Sequence, residues 1–248
     1  MCHGTGWEFF RPDDLYLERV YGANTAACGD FAKRCTRCKG YKPNEDTTGC
    51  PENMRHAAIN KFRFDEYREA IPGIEKVAHN FIDEFENWKF QGKSLYLWSN
   101  TSGSGKTFLA CCIGKSIMMK YNARFKFLTV PQYIDKAAEK ISIQKNGGFE
   151  DPTAVYRDCD LLVLDDIGSQ IDKPWQNQEL FKLINERLTN GLLTIYTSNM
   201  TIDKLNVDER IKNRIYGTTI VLHMPEESMR VKYHEKSQDD FLRRVLNG

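Results

Sequence analysis

Asn100-Thr-Ser-Gly-Ser-Gly-Lys-Thr107 is the stretch on which the reading of this 248-residue chain turns. It follows the apolar run Leu95–Trp98 and precedes Phe108-Leu-Ala-Cys-Cys-Ile113. Apolar run, glycine-rich loop and helical pattern, in that order, are what a phosphate-binding loop requires. Gly103 and Gly105 let the backbone curl until successive N–H groups point inward. Lys106 is then placed to reach the β- and γ-phosphates, and the Thr107 hydroxyl to ligate Mg²⁺. The helix that begins there turns the positive end of its dipole toward the same anion. Thr101, Ser102, Ser104 and Phe108 complete the segment expected to line a nucleotide. Asn100 stands where the pattern calls for a first glycine, and Asn is among the few residues that tolerate a left-handed backbone.

Outward from the loop, five short apolar runs alternate with helical patterns. The runs are Leu95–Trp98, Phe125–Val130, Leu161–Leu164, Leu192–Tyr196 and Thr219–Leu222. Between them lie the helical stretches Thr107–Tyr121, Pro131–Ile143, Asn177–Thr189 and Leu205–Ile215. Such alternation predicts an α/β fold with a largely parallel sheet covered on both faces. Right-handed crossovers gather the loops that follow the strands at one sheet edge, where ligands bind. Residues directly after the runs are therefore site candidates. Asp165 and Asp166 follow Leu161–Leu164. The first acid suits a metal or its water shell, and the second can polarise an attacking water. Thr197-Ser198-Asn199 follows the fourth run, and the Asn199 amide could position that water. Arg210 and Arg214 lie four apart on the next helix and share a face. One of them could point at a neighbouring subunit's nucleotide; the rival reading is surface pairing with Asp208 or Glu209.

The formal net charge of +1 argues against a strongly basic nucleic-acid coat, though a local basic strip stays open. No apolar run approaches the roughly 18 residues of a membrane span, and Met1–Phe10 has no charged-then-apolar signal pattern. A cytoplasmic protein without membrane attachment is expected. Of the 8 cysteines, Cys111, Cys112 and Cys159 read as small buried apolar residues. Cys2, Cys28, Cys35, Cys38 and Cys50 crowd an irregular N-terminal stretch.

Residues 1–70 are expected to form a small N-terminal domain, and 71–248 the α/β domain. The first segment has little to bury and needs a cross-link to fold. Cys35-Thr-Arg-Cys38 has the spacing of a zinc knuckle. With Cys28 and Cys50 it makes a four-thiolate set for a structural Zn²⁺, while His3, His56 or Cys2 could replace an outer ligand. Phe62, Phe64 and Tyr67 interleave with Lys61, Arg63 and Arg68. They could stack on single-stranded bases, but aromatic residues more often pack on a neighbouring element. Ile74, Val77, Ala78, Phe81, Ile82 and Phe85 mark one amphipathic helix after Pro72-Gly73.

Four segments, Ser99–Ala110, Leu161–Gly168, Glu179–Arg187 and Thr194–Asn199, occur in an order and spacing that resembles the DnaC/DnaI helicase-loader family of AAA+ ATPases. That family also includes the IstB-type transposition ATPases. The resemblance covers roughly residues 75–230. It implies an ASCE P-loop sheet of strand order 5-1-4-3-2 and ATP binding with Mg²⁺; slow hydrolysis is expected from Asp166 in the water-polarising place and from the near absence of a lid. It also implies single-stranded DNA contact, homo-oligomerisation through the ATP site and loading of a hexameric replicative helicase in DNA replication. By position, Lys106 and Thr107 match Walker A, Asp165 and Asp166 match Walker B, and Asn199 matches sensor 1. Arg214, within Arg210-Ile-Lys-Asn-Arg-Ile215, matches the arginine-finger segment. Arg230, in Glu227-Ser-Met-Arg230, is similar to the family's Ser-x-Arg segment and is the sensor-2 candidate, although few residues follow the last strand to build a lid. Some such loaders carry a zinc-bearing N-terminal domain that docks on the helicase, a role that fits Cys28–Cys50. The alternatives are an IstB-like transposition accessory ATPase and a nucleotide-dependent adaptor that does not hydrolyse.

Overall fold

The computed structural model describes residues 7–10, 31–34, 48–67, 71–168, 173–232, 238 and 245. The chain divides into two units, Met1–Glu45 and Asp46–Gly248. In the first, strands β1 (Trp7–Phe10) and β2 (Phe31–Arg34) pair antiparallel, Trp7 opposite Arg34 and Phe10 opposite Phe31.

The second unit is built on five strands, each an apolar run that alternates its side chains between two faces. They are β3 (Ser94–Trp98), β4 (Phe125–Thr129), β5 (Leu161–Asp165), β6 (Leu193–Ser198) and β7 (Thr219–His223). The spatial order is β4-β5-β6-β3-β7, every neighbouring pair parallel. Counted from β3 as first strand, that is the expected 5-1-4-3-2. Leu95, Leu97, Leu161, Val163, Leu193 and Ile195 face one side. There they pack on α1 (Ile74–Asp83), α2 (Phe85–Phe90) and α3 (Lys106–Tyr121). Tyr96, Leu162, Leu164 and Tyr196 face the other side. They pack on α4 (Val130–Lys145), α6 (Pro174–Thr189) and α7 (Glu209–Thr218). A short helix, α5 (Ala154–Asp158), leads into β5. No helix among the described residues is long and apolar enough to cross a membrane.

Two findings depart from the sequence expectations. The amphipathic stretch after Gly73 is two helices, because the chain leaves helical geometry at Glu84 (φ −110°, ψ 30°). The unit boundary lies ahead of the expected residue 70, since residues 48–67 pack on the sheet. The Phe127 N–H donates to the Thr48 carbonyl at 2.7 Å, along the free edge of β4. Three 3₁₀ turns then bury Ala57, Phe62, Phe64 and Tyr67 in the core. The aromatic cluster is thus a packing element.

Of the expected zinc ligands, Cys28, Cys35 and Cys38 lie outside the described residues. Cys50, expected as a fellow ligand, belongs to the second unit, where its Sγ sits 3.7 Å from the Cys111 Sγ. Cys111 in turn lies 3.6 Å from the Met54 sulfur. Cys50 makes a sulfur-lined contact at the core. Among the described residues no three His, Cys, Asp or Glu side chains gather as a metal site.

Candidate functional site

The loop between β3 and α3 turns inward on glycines with positive φ, +83° at Gly103 and +93° at Gly105. At both the space for a Cβ is already taken. A Cβ on Gly103 would stand 2.6 Å from the Ser228 hydroxyl, and one on Gly105 would overlap the Tyr67 hydroxyl. Gly105 caps α3, so the helix starts at Lys106. Lys106 is 7% exposed. Its ammonium donates to the Ser99 carbonyl (3.3 Å), the Thr101 carbonyl (2.9 Å) and the Ser104 hydroxyl (3.1 Å). Tyr67, from the segment ahead of α1, donates its hydroxyl to the Ser104 carbonyl at 3.2 Å.

The ends of β5 and β6 face the loop. Asp165 Oδ1 accepts from the Thr107 hydroxyl at 2.8 Å and from the Thr197 hydroxyl at 2.6 Å. Thr197 accepts in turn from the Asp166 N–H at 3.0 Å, so one buried hydroxyl holds both acids in place. Asp166 adopts a left-handed backbone, φ +58°, an uncommon state for a residue with a Cβ that costs on the order of 1 kcal/mol. The Asn199 amide donates to Asp166 Oδ1 at 3.3 Å.

These groups enclose a cavity of about 560 Å³. Of the residues expected at the site, Ser102 through Phe108, Asp165, Asp166, Asn199 and Arg230 line it. Asn100 and Thr101 sit outside the lining. Arg214 lies on α7, exposed, and does not reach the cavity of its own chain. It makes no ion pair among the described residues. Arg210, by contrast, pairs with Asp208 at 3.0 Å and lies 4.7 Å over the Phe181 ring. Lys136 and Lys140 on α4 pair with Glu139 and Asp151. Several lining residues carry no motif: Asn53, Met54, Phe62 and Tyr67 from the segment ahead of α1, and Thr129 from the end of β4. The polar side chain at the end of β4 was the one available signal for Thr129.

The electrostatics fit a phosphorylated ligand with a hard cation. Burial pushes the Lys106 ammonium below its ordinary pKa, against the opposing charges of Glu226, Asp165 and Asp166. Burial pushes the Asp165 carboxyl up, only partly offset by the Thr197 and Thr107 hydrogen bonds, and the charge of Asp166 adds to the rise. A buried cation and a buried anion without a direct ion pair are each stabilised by a counter-charge from outside. Phosphate oxygens would supply it at Lys106, and a divalent cation at Asp165. The donors around Asp165 are all oxygen, as Mg²⁺ prefers.

Comparison with known proteins gives the same fold. The family profile of the bacterial DnaA ATPase domain matches residues 60–221. AMPPCP-bound DnaA from Aquifex aeolicus superposes with a TM-score of 0.58 at 20% identity, over 75% of this chain and 55% of that one. The DnaC helicase loader gives 0.58 at 21% identity, over 71% of this chain and 100% of that one. DnaI gives 0.57 at 18%, over 72% and 96%. The chain thus spans about half the length of the DnaA structure and nearly all of the other two.

Proposed function

We propose that this chain, which belongs to the bacterial DnaA ATPase-domain family, is an ATP-dependent loader of a replicative DNA helicase of the DnaC/DnaI type. The reading assigns it slow ATP hydrolysis coupled to binding of helicase and single-stranded DNA. The observation that carries the ATPase part is the convergence of Lys106, Thr107, Asp165, Asp166 and Asn199 on one cavity. The helicase part rests on the likeness to DnaC and DnaI, which share the ATPase fold over most of their lengths.

In this reading the loop N–H groups and Lys106 bind and orient the β- and γ-phosphates. Lys106 releases its three loop oxygens to do so. Asp165 and Thr107 would hold Mg²⁺, which offsets charge on the phosphates. Asp166 accepts a proton from the attacking water, and the Asn199 amide fixes the carboxylate that does so. Most of the rate gain comes from positioning and charge stabilisation, as is general for phosphoryl transfer. Two features favour slow turnover: an aspartate reaches less far than a glutamate, and the Asn199 bond must be kept or exchanged as water enters. The guanidinium at the γ-phosphate is assigned to Arg214 of a neighbouring subunit. Arg210 is already engaged by Asp208 and Phe181, and Arg214 is the one left exposed and unpaired among the described residues.

The test is helicase loading on closed single-stranded circles. Purified replicative helicase should unwind an annealed strand only when this protein and ATP are present. Lys106→Ala should abolish both ATP binding and loading, and Asp166→Asn should keep binding while losing turnover. If the helicase neither binds the protein nor is loaded, while a transposase does bind, the IstB-like reading replaces this one. Full loading by Asp166→Asn would leave a non-hydrolysing adaptor.

A further inference from the structure

Asn100 is the one position where the loop breaks its pattern. The backbone there does not need a glycine: the non-glycine residues with positive φ are Asn122 and Asp166, among the described residues. The side chain has a different use. Its Nδ2 and the Asn100 N–H each donate to Glu226 Oε1 at 3.1 Å. Glu226 Oε2 accepts from the Thr101 hydroxyl at 3.1 Å and the Ser99 hydroxyl at 3.3 Å. On its far side Oε1 lies 2.6 Å from His223 Nε2. That imidazole stacks on Trp98, the last residue of β3, at 3.9 Å and 6°, so the carboxylate is held from a fixed point on the sheet.

The rest of the segment after β7 follows the same course. The Met224 N–H donates to the Trp98 carbonyl at 2.7 Å, the Ser99 hydroxyl donates to the Pro225 carbonyl at 2.9 Å, and the Arg230 N–H donates to the Gly103 carbonyl at 3.3 Å. Residues 224–230 therefore strap the loop along its outer side, from its first residue to its first tight turn. Glu226 is the only charged group in that strap that grips the front of the loop, and it meets three consecutive residues there.

We propose that Glu226 is a positioning residue for nucleotide binding, with Asn100 as its dedicated partner in place of the first glycine. The proposal rests on the nucleotide reading of the cavity. Glu226 does not line the cavity and touches no substrate. It acts through the loop: the N–H groups that follow Thr101 can wrap a phosphate only if the chain enters the turn at the right angle, and the carboxylate fixes that entry. A loop preorganised in this way binds more tightly because less of its freedom is lost on binding.

The experiment is a double-mutant cycle on the full-length protein, with Mg-ATP and Mg-ADP affinities read by titration calorimetry, and kcat and KM by phosphate release. Glu226→Ala removes all five contacts and should weaken both nucleotides roughly tenfold, raising KM with kcat little changed. Asn100→Gly removes only the amide bond and should weaken binding about threefold in the native background. In the Glu226→Ala background the same change should cost nothing, because its partner is gone. A merely structural role would lower thermal stability without that non-additivity and without the KM–kcat split. Equal losses for Asn100→Gly in both backgrounds, or unchanged affinity in Glu226→Ala, would overturn the proposal. Lys106→Ala is the control that separates the two levels. If it also leaves affinity unchanged, the nucleotide reading of the cavity itself fails; if it abolishes binding while Glu226→Ala does nothing, only the positioning role falls.

Discussion

Replacing Thr197 by Val keeps the side chain's shape and deletes one hydroxyl that serves two acids. Thr197 is 2% exposed, so both bonds lie largely out of bulk solvent. The bond to the Asp165 carboxylate is charge-assisted and worth about 1.5–3 kcal/mol, and the bond from the Asp166 N–H is neutral and worth about 0.5–1.5 kcal/mol. Together they amount to about 3 kcal/mol, which for a unit of this size lowers Tm by roughly 6–12 °C. Thr197→Ser keeps the hydroxyl and loses a methyl, about 1 kcal/mol. Differential scanning calorimetry on the two variants and the native protein separates these values. A second reading follows from the sign of the titration. The Thr197 bond lowers the Asp165 pKa, so its loss lets burial push that carboxyl further up. Asp165 must be ionised to attract a divalent cation, hence the acid limb of Mg²⁺-dependent ATP binding should move to higher pH in Thr197→Val and stay put in Thr197→Ser. Equal Tm losses in the two variants would refute the reasoning, since the hydroxyl would then hold neither acid.

Mixing experiments test the shared site: Lys106→Ala and Arg214→Ala, each inactive alone, should recover part of the ATPase rate when combined, because some interfaces then pair an intact loop with an intact arginine. No recovery at any ratio argues that Arg214 acts elsewhere. Gly114→Ala would drive a Cβ into the Phe125 ring. Overpacking of about 1–3 kcal/mol outweighs the gain in helix propensity of at most about 1 kcal/mol, and chemical denaturation should show a net loss of stability. Burial pushes the Glu226 carboxyl up, but the bonds from His223, the Asn100 N–H and Thr101 together hold it down at about 2, against 4.5 for a free group. A depressed pKa of this kind stabilises the fold above 4.5, and the contribution fades as pH falls toward 2. The stability gap between native protein and Glu226→Gln should therefore close across that window; a gap that widens toward acid would contradict the assignment.

The sheet was legible because each strand is a short apolar run that stops at polar residues, and a buried parallel strand leaves little room for any other pattern. The same polar stops, Asp165-Asp166 and Thr197–Asn199, marked the edge of the sheet where the cavity lies. Other parts carry no local signal. Nothing in the sequence breaks the pattern at Glu84, since the apolar residues on both sides share a face of the sheet. Tyr67 and Glu226 meet the loop only after long excursions of chain, at Ser104 and Asn100 respectively, and no spacing rule foresees such contacts. Asn100 was read as a tolerated exception to a backbone rule, whereas its amide has a partner. The contact of Cys50 with Cys111, 61 residues further along the chain, likewise carries no local signal.

The way Tyr67 and the 224–230 strap close over the loop from opposite ends of the chain bears on how the protein can be cut. A minimal fragment from Ile74 to His223 would retain every strand of the sheet and the whole Asn100–Thr107 motif. It would lack the hydroxyl on Ser104, the carboxylate on Asn100 and the backbone tie to Gly103. Such a fragment keeps the signature by which the site is recognised and loses the parts that give the loop its shape. Expression designs should start no later than Asp46 and extend past Arg230.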